Sequence, residues 1–180
     1  MSLSTVVLLL FVCVAAITDG TRHKIYNWTT YPGILAGIAS GAITGGWDGA
    51  ESAIGGFLVC GLIMLVCFVF FPDMGGGDVK LIAMMGAGLG IHDGILAMLW
   101  TFVLGFVGGL AYLVWQEGAI RLMYRLLSLL REAAAMRGRV QPTENPESPL
   151  NRWLFLGPAA LVSVIIVTWP EIESTISKIA

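Results

Sequence analysis

Two carboxylates in this chain stand where an ionisable group could do chemistry. Asp19 follows the apolar run 3–17 and opens the stretch DGTRHKIYN, which ends at Asn27. Asp78 closes the stretch Gly75-Gly76-Gly77-Asp78 and precedes a second apolar run, 79–91. An ionisable group at the end of a greasy segment is costly and is therefore usually functional. Two carboxylates brought within hydrogen-bond distance cannot both ionise readily, so they share a proton and titrate apart. The ionised member can then draw a proton from water while the protonated member donates to a carbonyl oxygen. That division of labour hydrolyses a peptide bond without a covalent intermediate. Taken singly, Asp78 reads as a helix cap and Asp19 as a partner for Arg22. Taken together, at one depth and with basic residues beside each, they read as a pair.

The elements that must position this pair are membrane helices. The chain is 57% hydrophobic and 12% charged, against about 25% charged in an ordinary soluble domain. Its net charge of −2 is uninformative about partners, and nothing in the sequence points to nucleic acid. The expected class is all-α, a polytopic membrane protein with about six transmembrane helices in one domain. The spans are read at about 3–17, 32–45, 52–71, 79–91, 94–115 and 153–169. Pro32 opens the second, Pro72 ends the third, and the sixth closes before Pro170. The fourth is short and could be re-entrant or half-buried. Gly33, Gly37, Gly41 and Gly45 draw a stripe of small residues along the second span, which suits close helix packing in lipid.

The basic residues set the direction. No positive charge precedes the first run, so it is expected to stay as an uncleaved helix with its N-terminus outside. Nine of the ten Lys and Arg residues, all but Lys178, then fall in or beside the inner segments, as the positive-inside rule requires. Asp19 and Asp78 come to the same, inner face. After Trp115, Ile120, Met123, Leu127, Leu130 and Ala134 alternate with Arg121, Arg125, Ser128 and Glu132 on the opposite face. Residues 118–138 therefore read as an amphipathic helix lying in the headgroup region.

Other polar groups have smaller expected roles. Gly75, Gly76 and Gly77 can take positive φ and leave room for an extended substrate strand. Lys80 could bind a carboxylate or tune the pair, or simply reach the headgroups. Arg22 and Lys24 could orient Asp19 or anchor their helix. Asp73 reads as solvated, and His23 and His92 fall on opposite faces. Cys13, Cys60 and Cys67 lie in apolar runs without metal-ligand or disulfide spacing. No metal and no cofactor are expected.

At this point the residues match a known pattern. Gly75, Gly77 and Asp78, followed by Lys80 and Leu81, resemble the G-x-G-D motif of the type IV prepilin peptidases. Asp19, Arg22, Lys24, Ile25 and Asn27, with Pro32 shortly after, resemble the first-aspartate segment of that family. The resemblance covers the first four spans well and the last third weakly. It implies a membrane aspartic protease with Asp19 and Asp78 as catalytic residues. Gly75, Gly77, Lys80, Arg22, Lys24 and Asn27 would support substrate or site. It also implies prepilin or pseudopilin precursors as substrates, cut after a short basic leader at the inner face of a bacterial or archaeal cytoplasmic membrane. Larger relatives carry a cytoplasmic domain with zinc-binding cysteine pairs and methylate the new N-terminus. This chain looks like the short, peptidase-only branch found with tight-adherence pili, and methyl transfer is not expected.

Two other classes compete. Presenilin-type and signal-peptide-peptidase-type proteases also use G-x-G-D, but place the first aspartate inside a helix after a tyrosine. Here Ile17-Thr18 precedes Asp19 and charged residues follow at once. A small proton-coupled transporter would show inverted halves, and residues 1–90 do not match 91–180. The absence of a ligand set has a direct test. Peptide cleavage by the purified protein should survive strong chelators and thiol-blocking reagents, and loss on chelation with recovery on adding zinc would contradict the reading.

Overall fold

A computed structural model describes residues 2–22, 24–70, 74–118 and 156–179. Four α-helices account for nearly all of them: α1 (Leu3–Arg22), α2 (Asn27–Phe70), α3 (Gly76–Glu117) and α4 (Leu156–Ile179). All four are long and apolar enough to cross a membrane. The chain divides into two compact units, Met1–Gly105 with Phe155–Ala180, and Phe106–Leu154. Of the second, the structure describes 106–118, the helical end of α3 and Gly118. The expected amphipathic helix at 118–138 lies outside the described residues apart from Gly118, as do His23 and Asp73.

The two longest helices are each broken by one glycine. At Gly46 the backbone takes φ 61°, ψ −136°, and at Gly90 φ 82°, ψ −172°. These values are open to glycine at little cost and strained for other residues. Each break reverses the chain. Gly41 and Gly49 stand eight residues apart, yet a Cβ at Gly41 would lie 2.9 Å from the Gly49 carbonyl oxygen. An unbroken helix would separate them by about 12 Å. Likewise a Cβ at Gly94 would lie 2.9 Å from the Gly86 Cα. Each long helix is thus two helical arms folded against one another. No glycine at 75–77 takes positive φ; among the described residues that conformation occurs only at Gly46, Gly90 and Gly118.

The first arm of α3 is the centre of its unit. Leu81 through Ala87 are all buried, and Leu81, Ile82, Met84 and Met85 have no exposed surface at all. A helix that is apolar all round must be covered all round. Here Leu8 of α1 meets Gly88, the first arm of α2 meets Met84, Ala87 and Gly88 through Gly33 and Gly37, and the second arm meets Gly86 through Gly56. An arm of this length reaches only about 20 Å at 1.5 Å per residue, short of a hydrocarbon core of about 30 Å. Enclosure by protein removes the need to match lipid.

The stripe of small residues packs as its spacing suggests, with one exception. Gly33, Gly37 and Gly41 face close neighbours, whereas a Cβ at Gly45 would meet nothing within 4 Å. Outward-facing Leu10, Leu35, Ile43, Leu58 and Val69 leave most of their surface exposed, as lipid-facing residues do.

Two helix ends differ from the sequence reading. α2 starts at Asn27, with Pro32 inside it. The Thr29 and Thr30 amides find the Tyr26 carbonyl oxygen at 3.1 and 3.3 Å, so a turn forms upstream of the proline and Pro32 forfeits one bond within it. α4 runs through Pro170 to Ile179; the proline costs a hydrogen bond but the arm continues as far as its polar end. There Glu171 accepts from the Thr5 hydroxyl at 2.9 Å and the Ser2 amide at 3.4 Å. Thr101 and Ser163, both fully buried, share a hydrogen bond of 2.7 Å between α3 and α4. Interhelical bonds of this kind add to association where lipid removes the hydrophobic drive.

The close backbone approach has a measurable consequence. A Cβ at Gly86 would lie 2.7 Å from the Gly56 carbonyl carbon and 2.9 Å from Cys60 Cβ. Gly86→Ala should therefore cost about 1–3 kcal/mol through overpacking. Gly45→Ala, with open space around it, should change stability by no more than about 0.5 kcal/mol. Thermal unfolding of both variants in detergent separates these outcomes.

Candidate active site

Asp19 lies in the last turn of α1 and is 9% exposed. The Gly157 amide, at the start of α4, donates to Asp19 Oδ2 at 2.8 Å. The fit is close: a Cβ at Gly157 would stand 2.7 Å from Asp19 Cβ and 2.8 Å from Oδ2. The pairing of α1 with α4 follows from contacts at both ends, Glu171 on Ser2 and Thr5 at one and Gly157 on Asp19 at the other. The two helices therefore run antiparallel.

Asp78 lies in the first turn of α3 and is half-buried. Its amide donates to the Gly75 carbonyl oxygen at 3.0 Å, which closes the first turn of the helix. Gly75 itself is exposed, and a Cβ there would stand 3.1 Å from Asp78 Oδ2. Small size, rather than unusual backbone, is what Gly75 contributes.

The two aspartate segments pack on one another. Gly77 sits against Ile25, where a Cβ would lie 3.0 Å from the Ile25 Cβ. Lys80 Nζ donates to Asn27 Oδ1 at 2.7 Å and stands 5.3 Å from the centre of the Tyr31 ring, within cation–π range. Asp19 lies within electrostatic reach of Asp78 across the same space. One end of α1, the start of α2 and the start of α3 thus form a single site.

Of the residues singled out by sequence, Asp19, Asp78, Gly75, Gly77, Lys80 and Asn27 come together. Arg22 and Lys24 are exposed beside them. His92 is exposed and pairs with its neighbour Asp93 at 3.0 Å. Sequence reasoning missed Gly157. Its signal is a glycine followed by Pro158 at a helix start, which many helices carry for reasons of capping alone. Tyr31, which lies under Lys80, was likewise hidden; Ile25, part of the first-aspartate segment, proves to cushion Gly77.

Comparison with known proteins adds to this geometry. A family model described as the type IV leader peptidase family matches residues 6–110, more than half of the chain. Comparison with curated proteins and with solved structures gave no match. Both aspartates, the glycines before Asp78 and the Lys80–Asn27 bond lie within the matched residues, whereas Gly157 lies beyond them. The chain belongs to the type IV leader peptidase family.

Proposed function

We propose that this protein is a membrane aspartic endopeptidase that removes the short basic leader from type IV pilin-like precursors. The reading places the work at the cytoplasmic face of a bacterial or archaeal cytoplasmic membrane, with Asp19 and Asp78 as the catalytic pair. One observation carries it: the two aspartate segments pack into one site, with Gly77 on Ile25 and Lys80 on Asn27.

In this mechanism the pair holds one proton. The ionised carboxylate takes a proton from water, and the water oxygen bonds to the scissile carbonyl carbon. The protonated carboxyl gives its proton to the carbonyl oxygen, so the intermediate is a neutral gem-diol. The proton held by the first carboxylate then passes to the amide nitrogen as the C–N bond breaks. One gem-diol proton returns to the second, and the pair is restored. Lys80 and Asn27 keep the two segments in register. Gly75 leaves the Asp78 carboxylate uncovered. Arg22 and Lys24 hold the end of α1 at the headgroups of the inner leaflet.

The two reversals support the topology of this reading. With α1, the arms on either side of Gly46 and Gly90, and α4 taken as six spans, the distribution of basic residues favours an N-terminus outside. An even number of arms, the two of α2, then separates Asp19 from Asp78.

Asp19→Asn and Asp78→Asn should each lower precursor cleavage by roughly a thousandfold or more while leaving membrane insertion intact. Because the carboxyls act as a unit, the double variant should be no worse than either single one. Purified protein in detergent with candidate pilin precursors gives the rate, and substantial cleavage by either single variant removes the pair from the mechanism.

Reporter fusions check the topology. A reporter near Trp47 should read as external, and reporters near His23 and Gly76 as internal. An internal signal at Trp47 would put the two aspartates on opposite faces and end this reading.

A further inference from the structure

The Asp19 carboxylate is met by an element beyond the matched residues. Gly157, the second residue of α4, is buried and donates its N–H to Asp19 Oδ2 at 2.8 Å. First-turn amides have no partner within their own helix and lie at its positive end. The next residue, Pro158, has no N–H to offer. Space is equally restricted. A Cβ at Gly157 would stand 2.7 Å from Asp19 Cβ, 2.8 Å from Oδ2 and 3.1 Å from Cγ. Any side chain there pushes the carboxylate aside. The far end of α4 is tied to α1 through Glu171 and Thr5, so the helix cannot readily slide to make room.

We infer that Gly157 is a positioning residue for the Asp19 carboxylate: its amide fixes one oxygen, and its missing side chain leaves Asp19 the rotamer it has. The inference rests on the reading of Asp19 as one of the catalytic pair. It adds α4 to a site whose other parts lie between Asp19 and Lys80. A fixed N–H sets the direction of the second oxygen, and misplacement of a reacting group by about 1 Å can cost on the order of a hundredfold in rate. Gly157 touches Asp19 and acts through it.

The test compares Gly157→Ala with Gly45→Ala, the same chemical change where a Cβ meets nothing within 4 Å. Gly157→Ala should lower kcat for a pilin-type precursor by roughly a hundredfold with KM within about threefold, and Gly45→Ala should cleave as the parent does. An unchanged kcat, or a loss confined to KM, overturns the inference. If Asp19→Asn is inactive while Gly157→Ala is fully active, only the role of Gly157 fails; if Asp19→Asn cleaves, the pair fails instead.

A spectroscopic measurement needs no substitution at Gly157. Protein labelled with 13C-carbonyl leucine and 15N-glycine gives amide signals from three Leu–Gly pairs, Leu89–Gly90, Leu104–Gly105 and Leu156–Gly157. Asp19→Ala should move one of the three and leave two in place. Three unmoved signals overturn the inference whatever the activity.

Discussion

Close approach of backbones around one short helical arm governs this molecule. Residues Leu81–Ala87 are hidden on every side, and they can be hidden only because glycines face them. Gly56 and Gly86 meet backbone to backbone, Gly37 meets Ala87 and Gly88, and Gly33 admits the Met84 side chain. Dispersion contacts are individually small and depend steeply on distance. In lipid, where no hydrophobic drive brings helices together, they and a few interhelical hydrogen bonds are the main source of cohesion. Asp78 stands one turn before this arm becomes fully buried, so its position is inherited from that packing. Methionines at 64, 84 and 85 fill the remaining irregular space, a task suited to an unbranched, polarisable side chain.

The site couples this rigid centre to the helix that carries the other aspartate. Three kinds of contact join the segments: glycine against isoleucine, ammonium against amide oxygen, and backbone amide against carboxylate. Each restrains a different freedom. Gly77 on Ile25 sets separation, Lys80 on Asn27 sets rotation of α3 relative to the start of α2, and Gly157 on Asp19 sets the orientation of a carboxylate. The Lys80–Asn27 bond is exposed and worth little as stability. Its value lies in register.

Both aspartate segments could be read from sequence because local spacing carries them. Gly75-Gly76-Gly77-Asp78 and the Asp19–Asn27 stretch need no tertiary knowledge to stand out. Lys80 and Asn27 were each visible, but their bond was not, since it joins residues 53 apart. The helix ends at Pro32 and Pro170 were misplaced for a single reason. Proline reads as a boundary in sequence, whereas a helix accepts the loss of one hydrogen bond when neighbouring groups hold it on both sides. The reversals at Gly46 and Gly90 were partly visible as gaps between apolar runs; the φ values that make them could not be. Length alone suggests that 79–91 is re-entrant or half-buried, and the structure buries all of Leu81–Ala87, because enclosure depends on what surrounds a helix rather than on how far it reaches.

The antiparallel union of α1 and α4 also bears on when the site can exist. Asp19 and its Gly157 donor are separated by 138 positions in the chain, and a growing polypeptide is extended at roughly 5–20 residues per second. The first aspartate therefore leaves the ribosome many seconds before the amide that orients it. During that interval α1, α2 and α3 can enter the bilayer and bring the two aspartate segments together, yet the carboxylate of Asp19 still lacks its fixed donor. Completion of the site is tied to insertion of α4. A membrane protein inserted helix by helix thus acquires its fully oriented carboxylate only after α4 has been made, 138 positions after the aspartate itself.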